Sequence, residues 1–293
     1  MDQCEGSSRN HSRVVIEAPP KPPISKNLQG MHLPHPSLPQ LPFFVGIIGP
    51  RHTGKTVWLY NMLKDADGFY GKTFKKNNIV FFSPTSGDDE TLKPLKLMNT
   101  FGPPSSPQLI VNQLIDTQRR FKEADNLTGA LLVFDDITQC RDAWVPIEDL
   151  SYYGRHYHIH VLYVAHKMSS IPRGVRTQTQ QWIMFKPHEE SEFQWILDMF
   201  SRKRTKELWS MALARAWETP YNFVYVDFER KEFDEIYRSG FDDPLFLPYE
   251  KEVVLNHDTT DTLQKMTMKN SQRMRGEEEQ KESAFSVNKS KKK

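Results

Sequence analysis

Only two cysteines, Cys4 and Cys140, occur among the 293 residues. That is too few for a disulfide framework or a zinc site, and it fits a reducing compartment. Long apolar runs are also missing. The longest, around Phe43–Ile48, falls far short of the roughly 20 residues that span a bilayer, so a membrane-spanning protein is excluded. No basic-then-apolar stretch opens the chain, so secretion is not expected. Charge of one sign is lacking too: 39 Lys and Arg face 37 Asp and Glu, a net of +2. The excess sits at the ends. Residues 262–293 hold nine basic and four acidic groups, residues 1–40 hold four and three, and the stretch between them is left at −4. Such a middle makes no global positive field for nucleic acid, so DNA contacts have to come from local patches or from the tail.

Proline is present, and unevenly. Pro19, Pro20, Pro22, Pro23, Pro34, Pro36, Pro39 and Pro42 crowd the first 42 residues, which read as a disordered or extended arm. Residues 256–293, polar and ending in KSKKK, read as a disordered tail. Between them, 43–255, strand and helix patterns alternate. Strands are expected at Phe43–Ile48, Ile79–Phe82, Ala130–Phe134, Ile159–Ala165, Trp182–Phe185 and Phe223–Val226. Helices are expected from Lys55 to about Ala66, from Asn112 to Ala124, near Ser191–Phe200 and over Arg204–Ala216. This alternation predicts one α/β domain, a mostly parallel sheet sandwiched by helices.

Gly49, Pro50, Arg51, His52, Thr53, Gly54, Lys55 and Thr56 spell G-x-x-x-x-G-K-T between the first strand and the first helix. In a loop of this kind backbone N–H groups wrap the phosphates of ATP. Lys55 reaches the β- and γ-phosphates, Thr56 offers its hydroxyl to Mg2+, and the helix points its positive end at the anion. About 80 residues on, the apolar run Leu131–Phe134 ends in Asp135 and Asp136. Asp135 is expected to hold Mg2+, largely through water, and Asp136 to orient or polarise the attacking water. A doubled acid argues for hydrolysis rather than transfer to a small acceptor. Many P-loop ATPases have an extra strand between the P-loop strand and the acidic strand, and a polar residue ending the next strand senses the γ-phosphate. By that analogy the sensor is His166.

The stretch from Tyr152 to Lys186 resembles the poxvirus A32-like genome-packaging ATPases, members of the FtsK–HerA group of DNA-pumping motors. The likeness rests on Asp135 and Asp136, then Gly154, Arg155 and His156, then Ile171, Pro172 and Arg176, then Phe185 and Lys186, with Ile79–Thr85 upstream. It covers about residues 43–230. The family usually ends its sensor strand with glutamine, where this chain has His166. The resemblance implies an FtsK-like sheet and ATP-driven movement of double-stranded DNA, without base reading, into a viral capsid. It also implies a homo-oligomeric ring docked at a capsid vertex or portal, in the host cytoplasm or on the virion. In such a ring an arginine of one subunit reaches the phosphates of the next. Arg155 and Arg176 are the leading candidates here, both expected near strand ends on the catalytic side, with Arg173 a third.

For DNA contacts, Ser201–Arg204, Gly71–Lys76 and the tail offer basic side chains, each weighed against an ordinary solvated surface. Trp182, Trp195, Trp209 and Trp217 read as core or interface packing. A helicase or plasmid-mobilisation motor would share the whole site. A nucleotide kinase would want an arginine-rich lid, and a GTPase switch a guanine-reading Asn/Thr-Lys-x-Asp segment, which does not occur.

Overall fold

The computed structural model describes residues 32–84, 90–103, 105–124, 129–201 and 205–256. Among them are the strands β1 (Phe44–Ile48), β2 (Ile79–Phe82), β3 (Asn99–Phe101), β4 (Ala130–Phe134), β5 (Ile159–Ala165), β6 (Gln181–Phe185), β7 (Phe223–Asp227), β8 (Tyr237–Ser239) and β9 (Asp243–Pro244). They form one sheet in the order β3-β2-β4-β5-β1-β6-β7-β8-β9. The pairings from β3 to β6 are parallel, and β7, β8 and β9 add on antiparallel. Strands β2, β4, β5 and β6 are buried at every position. Strands covered on both faces lose the in–out alternation, which is why these read as apolar runs.

Helices α1 (Lys55–Leu63) and α2 (Tyr70–Thr73) cover one face, and α3 (Pro107–Glu123), α4 (Arg141–Tyr153), α5 (Arg173–Gln178), α6 (Glu190–Phe200) and α7 (Lys206–Ala216) the other. Leu131 and Val133 of β4 pack with Val45 and Ile47 of β1 against Trp58 and Leu59 of α1. Their neighbours Leu132, Phe134 and Ile48 pack on the opposite side against Val111, Ile147, Ile196 and Trp209. Two apolar cores thus sandwich an α/β sheet, as the sequence pattern predicts. Helix α4 goes beyond that pattern. Pro146 lies inside it, and proline masks a helical reading.

The arm differs from expectation near its end. Residues 32–42 are held against the domain: Leu38 is buried, the Tyr70 hydroxyl donates to Pro39 O at 2.9 Å, and Arg230 donates to Pro36 O at 2.6 Å. Prolines leave carbonyls with no ladder to join, and these two serve the side chains beneath. Residues 1–31 and 257–293 lie outside the described residues.

His160 shows what the core demands of a polar group. It faces the rings of Phe43 and Phe74, each 5.1 Å away between centroids, and its Nδ1 accepts the Phe43 N–H at 3.4 Å. Burial, reinforced by His158, pushes its pKa down to about 3. An unfolded histidine titrates near 6.5, so between those values the unfolded chain binds the extra proton. Stability is therefore full above about pH 6.5 and falls as pH drops towards 3. His160→Gln should remove up to one proton from that slope, about 1.4 kcal/mol per pH unit. Urea unfolding of both proteins across pH 4–7 reads it directly.

Candidate active site

All six parallel strands end at one edge of the sheet, and the loops after β1, β4 and β5 meet there. The loop after β1 begins with Gly49, whose N–H is bonded to Ala165 O of β5 at 3.2 Å. A Cβ on Gly49 would lie 2.7 Å from Phe185 Cβ, so only glycine passes. His52 and Gly54 take left-handed backbone, φ 62° and 102°. This reverses the chain into a concavity of the kind that turns backbone N–H groups on an anion. Gly54 then caps α1 without a side-chain hydrogen bond, and no acidic residue sits in the first turn. The orphan N–H groups and positive end of the helix are left for a ligand.

Lys55 is buried, and its Nζ donates to Pro50 O at 2.5 Å. Thr53 Oγ1 donates to the same carbonyl at 2.9 Å. Burial lowers the Lys55 pKa to about 8, although Asp135 and Asp136 pull the other way. A desolvated ammonium facing two carboxylates is held ready for more negative charge.

Asp135 leaves β4 buried, its N–H bonded to Phe82 O at 2.8 Å. Asp136 follows with φ 49°, a turned backbone that aspartate tolerates. Its Oδ1 lies 2.7 Å from Nε2 of His166. The contact has the distance of an ion pair without hydrogen-bond alignment, since both ring nitrogens lack an aligned partner. The His166 backbone N–H is bonded to Thr138 Oγ1 at 3.0 Å. A cleft of about 320 Å³ is lined by Arg51, His52, Lys55, Thr56, Asp135, Asp136 and His166.

The arginines are placed differently. Arg155 sits in the turn that enters β5, at the sheet edge opposite the P-loop. The strand between them has seven residues, about 20 Å. The expectation that Arg155 lies at its own catalytic edge is therefore corrected: a residue preceding a parallel strand sits at the far end from the residue that follows it. Arg155 is exposed. Arg176 is occupied within the chain. Its Nη1 donates to Met168 O at 3.2 Å, and its guanidinium lies 4.8 Å from the ring centroid of Trp195. Trp195 is 45% exposed, whereas Trp182, Trp209 and Trp217 are core. Arg173 is exposed at the start of α5. Of the basic stretches, Gly71–Lys76 runs towards β2 at the edge away from the P-loop, with Lys72, Lys75 and Lys76 exposed. Residues 202–204 and 257–293 lie outside the described residues.

Two residues that the sequence reading passed over hold the loop after β5. Glu192, buried on α6, accepts the N–H groups of Met168 at 2.9 Å and Ser169 at 3.5 Å, and bonds the Ser169 hydroxyl. With Arg176 on the Met168 carbonyl, that residue is gripped on both sides. Thr138 is the second. Neither carries a local signal, since the bonds cross 24 and 28 residues of chain.

No protein-family model matches the sequence, and no curated protein does. Among solved structures, the genome packaging NTPase B204 of Sulfolobus turreted icosahedral virus 2 in complex with AMP is 14% identical. Its TM-score is 0.47, over 68% of this chain and 96% of that one. The DNA-packaging ATPase B204 of Sulfolobus turreted icosahedral virus is 15% identical with TM-score 0.45, over 67% and 95%. EssC (ATPases 2 and 3) of Geobacillus thermodenitrificans is 13% identical with TM-score 0.43; here the match spans 56% of this chain and only 35% of the EssC chain.

The Glu192 clamp makes a prediction independent of any activity. Glu192→Ala leaves buried amides unpaired and should destabilise the fold by about 1–3 kcal/mol. Hydrogen exchange should accelerate at the Met168 and Ser169 amides before it does in β5. Unchanged protection there would mean that the turn is held by something else.

Proposed function

We propose that the chain is a Mg2+-dependent ATPase of the P-loop type that drives double-stranded DNA into a viral capsid. One observation carries the enzymatic half. Lys55 and Thr56 from the start of α1, Asp135 and Asp136 from the loop after β4, and His166 from the loop after β5 line a single cleft.

In this reading the phosphates rest in the turn made by His52 and Gly54, and Lys55 exchanges the Pro50 carbonyl for phosphate oxygens. Thr56 and Asp135 supply a hydroxyl and a carboxylate, hard oxygen donors of the kind Mg2+ takes together with phosphate oxygens and water. Among the described residues no cluster of three or more His, Cys, Asp or Glu forms a metal cage, and a Mg2+ site completed by substrate requires none. When bound, the ion neutralises negative charge on the transferring phosphoryl group. Asp136 accepts a hydrogen bond from the attacking water and aims it. His166, in contact with Asp136, steadies that carboxylate.

The translocation half rests on the resemblance around Gly154–His156, Ile171–Arg176 and Phe185–Lys186. It calls for a ring in which an arginine crosses to the neighbouring site. Exposure supports Arg155 and Arg173 for that task over Arg176, which already serves Met168 and Trp195. No helix among the described residues is long and apolar enough to cross a membrane. A site of action in the host cytoplasm or on the virion belongs to the same reading.

Lys55→Ala should abolish ATP turnover with the fold intact, because the lysine bonds a loop carbonyl rather than the core. Asp136→Asn should keep nucleotide affinity and lose hydrolysis by at least about a hundredfold; normal hydrolysis would move the water-aiming role elsewhere. For the motor, ATP hydrolysis is measured with and without linear double-stranded DNA across a series of protein concentrations. Stimulation that steepens with concentration is expected. Turnover indifferent to both would reject a DNA-driven ring.

A further inference from the structure

Beside the acidic cleft lies a larger pocket, about 730 Å³, which shares His52, Lys55 and Thr56 with it. Its remaining walls are mostly apolar and aromatic, chiefly Val57, Trp58, Tyr221, Phe223 and Phe241, with Asn61 the polar exception. The volume is that of a small-molecule site. Because β7 runs antiparallel to β6, with Phe185 opposite Phe223, the turn before β7 returns to the P-loop edge. Strand β8 brings the next turn to the same place, where the Gly240 N–H is bonded to Phe223 O at 2.7 Å.

Tyr221 is the unusual member. It is 73% exposed and sits in left-handed backbone at φ 63°, a conformation that bulky residues rarely adopt unless their surroundings impose it. Asn222 fixes the turn, donating to Ala216 O at 2.7 Å and to Ser239 Oγ at 2.9 Å. The tyrosine lies against the P-loop: a Cβ on Gly54 would meet Tyr221 Cδ1 at 3.4 Å. An exposed ring held in this way contributes little to a core and is well placed to stack on a planar ligand.

Away from His52, which belongs to the left-handed turn at the phosphate end, hydrogen-bonding groups for the edge of a base are sparse. The Asn61 amide donates to Val57 O at 2.9 Å, and its oxygen accepts from Lys64 at 3.2 Å. The indole N–H of Trp58 is buried without a partner, a single donor that suits a ribose oxygen or an acceptor common to all bases. Sites that reject near-identical ligands by factors of 10⁴ or more are built on several such groups.

We propose that this pocket receives the base and ribose of the nucleotide, that Tyr221 stacks on the base, and that adenine and guanine are accepted alike. The proposal rests on the P-loop reading above and extends it from ATP to purine nucleoside triphosphates.

Binding by calorimetry, with the full chain and Mg2+, separates the two. The ligands are the β,γ-methylene analogues of ATP and GTP and inorganic tripolyphosphate, which has no base. The wild type should bind the two analogues within about tenfold of one another. Tyr221→Ala should weaken both by about tenfold, the scale of one lost base stack, and leave tripolyphosphate unchanged. Tyr221→Phe, which keeps the ring, should stay close to wild type. Unaltered analogue binding in Tyr221→Ala, equal weakening of tripolyphosphate, or much stronger discrimination between the bases would overturn the proposal. Lys55→Ala tells the two readings apart. If it leaves all three ligands bound as before, the P-loop reading fails and the pocket with it. If it weakens all three while Tyr221→Ala weakens none, only the base pocket falls.

Discussion

Strand β5 is hydrogen-bonded to β1 on one side and to β4 on the other, in the same direction as both, so Gly49, Asp135 and His166 leave the sheet at a common edge. Every polar group of the cleft depends on that parallel triplet. The register sets the spacing: Ile48 is opposite Ala165, and Phe134 opposite Tyr163. Each strand is locked by apolar side chains that alternate between two cores, and a one-residue slip would exchange those cores. The loops can therefore carry left-handed residues and a buried ammonium, arrangements that oppose folding locally, because the strands beneath them cannot shift to relieve it.

Around this frame, the loop after β5 is tied by long-range polar bonds. Thr138 holds the His166 N–H from the acidic loop, Glu192 holds the amides of Met168 and Ser169 from α6, and Arg176 takes the Met168 carbonyl from α5. A movement of α5 or α6 would thus be felt at the contact of His166 with Asp136.

What could be read from sequence was whatever lies contiguously along the chain. Gly49–Thr56 is one string between a strand and a helix, Asp135 and Asp136 close a buried run, and all six expected strands fall within one residue of their structural bounds at both ends. The short strands β3, β8 and β9 were not legible, because two or three half-exposed residues carry no periodicity. Glu192 and Thr138 were invisible because nothing in a local window links them to residues some two dozen positions away. Arg155 misled for a different reason. Its nearness in sequence to the strand that ends at His166 suggested nearness in space, yet a seven-residue strand separates the two ends.

The reversal of direction at β7 has the largest consequence for what the edge can bind. Had β7 continued the parallel order, its leading turn would have faced the opposite edge, and the P-loop would have bordered open solvent beyond Thr56. Running antiparallel, it brings Tyr221 and Phe223 to Gly54 and Phe185, and β8 brings Phe241 to Trp58, whose ring centroid lies 6.1 Å away. The parallel strands thus assemble the charged half of the edge, which the proposed function gives to the phosphates. The antiparallel strands assemble the aromatic half, where a base can be stacked without being read. In the proposed function the work comes from phosphate chemistry alone, so a pocket that holds a base without reading its identity suffices.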